Sequence, residues 1–121
     1  MAVYKMAGVH RAVTEALEDW GDTPVPVDGP ASQLRGLAET FAGDVEVGVW
    51  EASPGRWQRQ IKEAEMCYFL SGHCSYTDEA GLTTDISAGD LLHFPADSGG
   101  IWEIYQPTRK VFIVYPDRSG R

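Results

Sequence analysis

Short runs of hydrophobic and polar residues that alternate with turn residues dominate the chain from residue 45 onward. The runs are rich in β-branched and aromatic residues, and glycine, proline, aspartate and serine lie between them. They cover residues 45–51, 56–61, 65–72, 73–77, 82–86, 91–94, 101–105 and 110–115. About eight short strands at such close spacing predict an all-β sandwich or barrel, in which closure or pairing protects the strand edges.

The first 44 residues have a different pattern. Apolar residues recur at helical spacing at Val9, Val13, Ala16, Leu17 and Trp20, which predicts a short amphipathic helix that ends at Gly21. Three prolines within residues 22–30 predict an extended arm. Residues 31–44 fit either a helix or an edge strand. We therefore expect a single domain, in which a helix and arm (residues 1–44) pack on a β-barrel (residues 45–121).

The run at residues 65–72 carries the most informative alternation. Because side chains alternate across a strand, Glu65, Cys67 and Phe69 share one face of this predicted central strand. A carboxylate and a thiol would then lie side by side. If this face lines a pocket, we expect the binding site or the chemistry of the protein to be there.

Composition narrows the classes of partner. The 121 residues suit one domain with its own core. The formal net charge of -8 disfavours nucleic acid and anionic membrane surfaces as partners. The N-terminal residues lack the apolar segment of a signal peptide, so we expect a cytoplasmic protein. Cys67 and Cys74 are expected to be free thiols, because disulfides are rare in a reducing compartment, and no CxxC or Cys/His zinc pattern is present.

Four motifs occur in a specific order along the chain. They lie at residues 48–55, at 65–72 from Glu65 to Gly72, at 89–95 from Gly89-Asp90 to Pro95, and at 100–103, and Arg109-Lys110 follows them. Together they resemble the small single-domain cupins related to the ethanolamine-utilisation Q protein, within the RmlC-like superfamily. The resemblance covers about residues 45–115. It implies a double-stranded β-helix of the jelly-roll type with a pocket in the barrel mouth, and it implies a homodimer.

The sequence departs from the metal-binding pattern of cupins. A typical metal cupin supplies an HxH pair before the glutamate of the first motif and a third histidine after the second motif. Here the HxH positions fall among residues 58–61 and the third falls at Gly100, so that only Glu65 remains. We therefore predict no metal bound through this set and no cofactor. A metal held by Glu65, Cys67 and His93 stays an alternative.

Two roles are open for Glu65. Burial would raise its pKa and suit it to general acid or base catalysis, whereas a neighbouring cation such as Arg59 would keep it ionised. Cys67 is either an activated nucleophile or a small core residue. His93 has the opposite parity to Leu92 and Phe94, which indicates an outward, structural position.

We predict Glu65 as the catalytic residue, and Arg59, Cys67, Phe69, Trp50 and Trp102 as residues that bind a small-molecule ligand. The tryptophans form either a stacking wall or part of the core. Lys110 and Glu103 could form an ion pair. The predicted function is a small-molecule-binding cupin. It is either a metal-independent isomerase, cyclase or lyase that acts on a small polar metabolite, or a non-catalytic binding or accessory protein.

Overall fold

A computed structural model describes residues 2–10 and 17–116 of the protein. The secondary structure of these residues consists of β-strands, which confirms the predicted all-β class. The strands are β1 (Glu18–Asp22), β2 (Gln33–Phe41), β3 (Val45–Ala52), β4 (Gly55–Ile61), β5 (Ala64–Asp78), β6 (Thr83–Ser87), β7 (Leu91–Phe94) and β8 (Ser98–Tyr115). None of the described segments forms a helix that is long and apolar enough to cross a membrane.

All strand pairs are antiparallel, and two long strands organise the sheet. The strand order is β1-β2-β3-β8-β5-β6, while β4 also pairs with β8 and β7 also pairs with β5. The first half of β8 lies between β4 and the end of β5, and its second half lies between β3 and the start of β5. Because β5 and β8 pass from one set of neighbours to the other, the sheet curves round on itself.

The two long strands differ from the prediction, which divided each of them into two. Residues 65–72 and 73–77 form one strand, and residues 101–105 and 110–115 form another. Gly72 does not end β5 but bends it, with a positive φ of 96°. The register between β5 and β8 is irregular at this bend, and Pro107, which has no N–H to donate, lies there on β8.

The N-terminal region also differs from the prediction. The expected end of the helix, including Trp20, is strand β1, which pairs with β2; residues 11–16 lie outside the described residues. Pairing with the edge of β2 prevails here over the helical spacing of the apolar residues. The segment that could have been a helix or a strand is strand β2. β1 and β2 thus continue the same sheet across the boundary expected between residues 44 and 45.

The arm between β1 and β2 combines bends with an isolated bridge between Pro26 and Trp57. It runs beside β4, where Val27 N–H donates to the carbonyl of Arg56 and Gln58 N–H donates to the carbonyl of Val25. These two bonds lie on either side of the bridge, so they pair the backbone of the arm with that of β4. The arm therefore forms part of the wall beside β4.

The hydrophobic core is largely aromatic. Trp102 is fully buried at its centre. Its ring centroid lies 4.9 to 6.3 Å from those of Trp50, Trp57, Phe69, Tyr76 and Phe94. Aromatic pairs at these spacings add attraction to the burial of their apolar surface.

Candidate functional site

A buried carboxylate between two cations is the main polar feature of the interior. Arg59 on β4 donates from Nη2 to Oε1 of Glu65 at 2.8 Å, and Lys110 on β8 donates from Nζ to Oε2 at 2.9 Å. Glu65 is 2% exposed and Lys110 is 1% exposed. Side chains that point inward from β4, β5 and β8 therefore bring together two positive charges and one negative charge.

Sequence reasoning placed Lys110 incorrectly. It does not pair with Glu103, whose carboxylate lies 3.9 Å from Nε of Arg56. Its Nζ lies 4.7 Å from the ring centroid of Trp50 and 5.1 Å from that of Trp102, at distances typical of cation–π contacts. A lysine so deeply buried requires these partners, because an unpaired buried charge is costly.

The charge state of Glu65 follows from these neighbours. Burial raises the pKa of its carboxyl group, but the opposing attraction of Lys110 and Arg59 prevails and lowers the pKa to about 2. Glu65 is therefore ionised at neutral pH. The structure supports the alternative in which a cation such as Arg59 holds this carboxylate charged.

Cys67 belongs to the same cluster. Its Sγ donates to Oε2 of Glu65 at 3.1 Å and accepts a hydrogen bond from Nζ of Lys110 at 3.3 Å. Burial raises the pKa of the Cys67 thiol to about 12, so at neutral pH the thiol is protonated and is not an activated nucleophile. Cys67 and Cys74 are both buried and free, as predicted.

A cavity of about 630 Å³ opens onto this cluster. Its walls come from β1 and the arm, from the inward positions of β2, β3 and β8, and from β4 and β5. The lining residues are Trp20, Pro24, Val25, Leu34, Ala38, Glu46, Trp50, Trp57, Gln58, Arg59, Gln60, Glu65, Lys110, Phe112 and Val114. This size and this mainly apolar lining are typical of sites for small organic molecules.

The predicted site residues are distributed between the cavity and the core. Arg59, Glu65 and Trp50 line the cavity. Cys67 lies beside Glu65 but is 1% exposed. Phe69 and Trp102 are buried in the aromatic core and are not among the described residues that line the cavity. Ligand binding by these two residues, and catalysis by Glu65, stay predictions.

Alternation along β8 does not reveal the position of Lys110. Phe112 and Val114 share its parity, but the other face of the strand is equally apolar, so the inward position of Lys110 follows only from the pairing of β8 with β5. Trp20, another lining residue that was not predicted, was missed because its segment was interpreted as a helix.

The residues around Glu65 do not fit a divalent metal. Within the described ranges, no three His, Cys, Asp or Glu side chains lie close enough to share an ion. Arg59 and Gly100 are register partners at the positions where cupin histidines are expected, and a Cβ at Gly100 would lie 2.5 Å from the ring of Tyr76. Two cations beside Glu65 would also repel a metal ion.

The two histidines in the described strands lie on outer faces. His93 is exposed and its Nε2 lies 3.0 Å from the hydroxyl of Tyr115, in agreement with its predicted outward position. His73 lies on the surface, where Nε2 is 2.8 Å from Oδ1 of Asp85. Neither histidine lines the cavity described above.

A curved antiparallel sheet with a cavity at an inward glutamate is the architecture of cupins, and the solved structures that resemble it have this fold. A putative ethanolamine utilization protein Q from Salmonella typhimurium LT2 is 17% identical, with 69% of this chain and 70% of that chain covered and a TM-score of 0.62. An RmlC-like cupin from Shewanella frigidimarina is 13% identical, with 86% of each chain covered and a TM-score of 0.64. The protein therefore has the cupin fold.

The family is more specific. Residues 39–112 match the EutQ-like cupin domain, and the chain belongs to this family. A DUF861 family protein from Thermotoga maritima is 30% identical, with 55% of this chain and 76% of that chain covered and a TM-score of 0.54. No curated protein matches the chain. Membership of the cupin family supports small-molecule binding as the general function.

Proposed function

We propose that the cavity binds a small organic molecule through a single carboxylate group, which Arg59 holds at the inner end. The observation that carries this proposal is the partial exposure of the Arg59 guanidinium beside the cavity. Its only hydrogen bond within the described part of the chain is the one from Nη2 to Glu65, its side chain is 30% exposed, and it lines the cavity. The rest of the guanidinium fork is therefore available to a ligand. Such forks match carboxylates in geometry.

The charges at the inner end favour a ligand with one negative charge. Arg59 and Lys110 carry two positive charges, and Glu65 neutralises one of them, which leaves an excess of one. Glu46 also lines the cavity, but its side chain is exposed, so water screens its charge more strongly than those of the buried cluster. A phosphate monoester, with close to two negative charges, would be balanced less well than a carboxylate.

Lys110 and Glu65 act as positioning residues in this proposal. Lys110 is held by hydrogen bonds to Glu65 and Cys67 and by contacts with the rings of the nearby tryptophans. Glu65 in turn fixes one edge of the Arg59 guanidinium at 2.8 Å. A fork held in this way loses little side-chain freedom when it binds a ligand.

A non-catalytic binding role agrees better with the charge state of Glu65 than acid catalysis does. With a pKa of about 2, Glu65 has no proton to donate at neutral pH and is also a weak base. The proposal therefore assigns binding, not turnover, to this cavity.

The test compares carboxylates with their neutral amides. Hexanoate and benzoate, together with hexanamide and benzamide, are titrated into the full-length protein by calorimetry and by tryptophan fluorescence. Because a hydrogen bond to a charged group contributes about 1.5–3 kcal/mol, each carboxylate is expected to bind at least roughly tenfold more tightly than its amide. Arg59→Met is expected to abolish this difference, and Arg59→Lys to reduce it.

Arg56→Met is the matched control. Arg56 lies on the same strand, but it pairs with Asp28 and is not one of the cavity residues. This variant is expected to bind like the wild type. Amides that bind as tightly as carboxylates, or an Arg59→Met protein that is folded and keeps the preference for carboxylates, would contradict the proposal. So would the absence of binding by both carboxylates at millimolar concentration.

A further inference from the structure

We infer that the ligand of this cavity is an aromatic monocarboxylate, whose ring contacts Trp20 on β1. This inference rests on the proposed function, because Arg59 supplies the carboxylate site. It adds the chemical class of the part of the ligand that carries the carboxylate. It also assigns a selective role to a residue that lies before the region shared with the family.

The backbone of β1 is shaped to present Trp20. The register between β1 and β2 shifts between Asp19 and Gly21, so Trp20 lies at a bulge. Gly21 has a φ of +81°, and its N–H donates to Oδ1 of Asp19 at 2.8 Å. Bulges redirect side chains and are frequent beside functional sites. Here the bulged residue is one of those that line the cavity.

Gly36 provides the space for the indole ring of Trp20. A Cβ at this position would lie 2.3 Å from Cη2 and 2.5 Å from Cζ3 of Trp20. The sequence thus combines a tryptophan at the bulge with a glycine on the adjacent strand. The ring lies against the sheet at the wall of the cavity.

Trp20 remains partly uncovered although it is a large apolar side chain. It is 39% exposed, and Val25, which also lines the cavity, is 49% exposed. Trp50 and Trp57 line the same cavity, with ring centroids 6.0 Å apart. Exposed apolar surface next to a cavity with three indole rings favours a flat aromatic ligand, since aromatic rings attract each other beyond their loss of apolar surface.

The residues of this wall lie outside the stretch that matches the family. The match to the family covers residues 39–112 and therefore includes Arg59, Glu65 and Lys110. Trp20, Val25 and Gly36 all precede it. The charged end of the site thus lies within the shared domain, while the aromatic selectivity comes from the N-terminal segment.

The experiment compares two ligands with the same charge and similar size, benzoate and cyclohexanecarboxylate. The wild type is expected to bind benzoate more tightly by roughly two- to tenfold. Trp20→Leu is expected to bring this ratio close to one, and Trp20→Phe is expected to retain most of it. Tyr68→Leu, which removes a similarly exposed aromatic ring outside the cavity, is expected to leave the ratio unchanged.

The outcomes separate this inference from the proposed function. If both carboxylates bind equally to the wild type and depend on Arg59, the function stands and the aromatic selectivity is refuted. A benzoate preference that is unchanged in Trp20→Leu refutes the role of Trp20. Sedimentation that finds a dimer for the wild type and a monomer for Trp20→Leu also refutes it, because a second copy of the chain would then cover this wall. Loss of cyclohexanecarboxylate binding together with benzoate binding in Trp20→Leu also refutes a selective role.

Discussion

Replacement of Glu65 by glutamine tests whether the buried charge cluster stabilises the fold. The substitution keeps the size of the side chain but leaves Lys110 without its carboxylate in a site that is 1% exposed. The pKa of Glu65, about 2 instead of 4.5, corresponds to about 3 kcal/mol of preferential stabilisation of the ionised form in the folded state. Loss of one partner from a buried ion pair typically costs about 3–5 kcal/mol. We therefore expect Glu65→Gln to lower the free energy of unfolding at pH 7 by about 3 kcal/mol.

The pH dependence has a definite direction. Because the pKa of Glu65 is lower in the folded protein than in the unfolded chain, its contribution is fully present above pH 4.5. It is lost as the pH falls from 4.5 towards 2, where the carboxylate takes up a proton. The wild type and Glu65→Gln should thus differ by about 3 kcal/mol at pH 7 and should approach each other near pH 2.

Urea denaturation followed by tryptophan fluorescence at pH 7, 4.5, 3 and 2 measures this difference. Other carboxylates also titrate over this range, but they do so in both proteins, so the difference isolates Glu65. Glu39→Gln, at an exposed position on β2, is the control and should follow the wild type. Free energies of wild type and Glu65→Gln that run parallel from pH 7 to pH 2 would refute the reasoning.

Three further predictions concern the same interior. Lys110→Met should destabilise the fold by about 3–5 kcal/mol, and Glu65→Leu combined with Lys110→Met should recover most of this loss, both measured by urea denaturation. Cys67 and Cys74 should react with a thiol reagent only as fast as the protein unfolds, because both thiols are buried and burial raises both of their pKa values. Rapid labelling of the native protein would contradict this prediction. Trp102→Ala should cost about 3–5 kcal/mol by thermal or urea denaturation, given its central place in the core.

The local patterns that depend on alternation were predictable from the sequence. The faces of β5 follow the predicted parity, since Glu65, Cys67 and Phe69 are all buried while Tyr68 is exposed. The all-β class follows from the same spacing of short apolar runs and turn residues. A two-residue period on a strand with one buried face leaves little freedom, because a shift by one residue would expose every core side chain.

The features that depend on distant pairing were not predictable. Trp20 has helical spacing with its neighbours, yet β2 offers an edge that binds this segment as a strand. Gly72 looks like the end of a strand, but β8 continues to pair on both sides of it. In each case the outcome is decided by pairing with another strand, which local propensity does not report.

The candidate site also combines residues that were predictable from the sequence with one that strand pairing brings in. Its charges suggest how the same glutamate could serve a different type of ligand. Glu65 was recognisable from its motif, and Arg59 was recognisable as a possible neighbour. Lys110 lies 45 positions further along the chain, and only the pairing of β5 with β8 brings its Nζ to 2.9 Å from the carboxylate. Where neutral imidazoles around a glutamate would leave a site suited to a metal cation, two permanent cations around Glu65 reverse the charge of the site. In the function proposed above, the same inward carboxylate orients a guanidinium, and an anionic ligand balances the remaining charge.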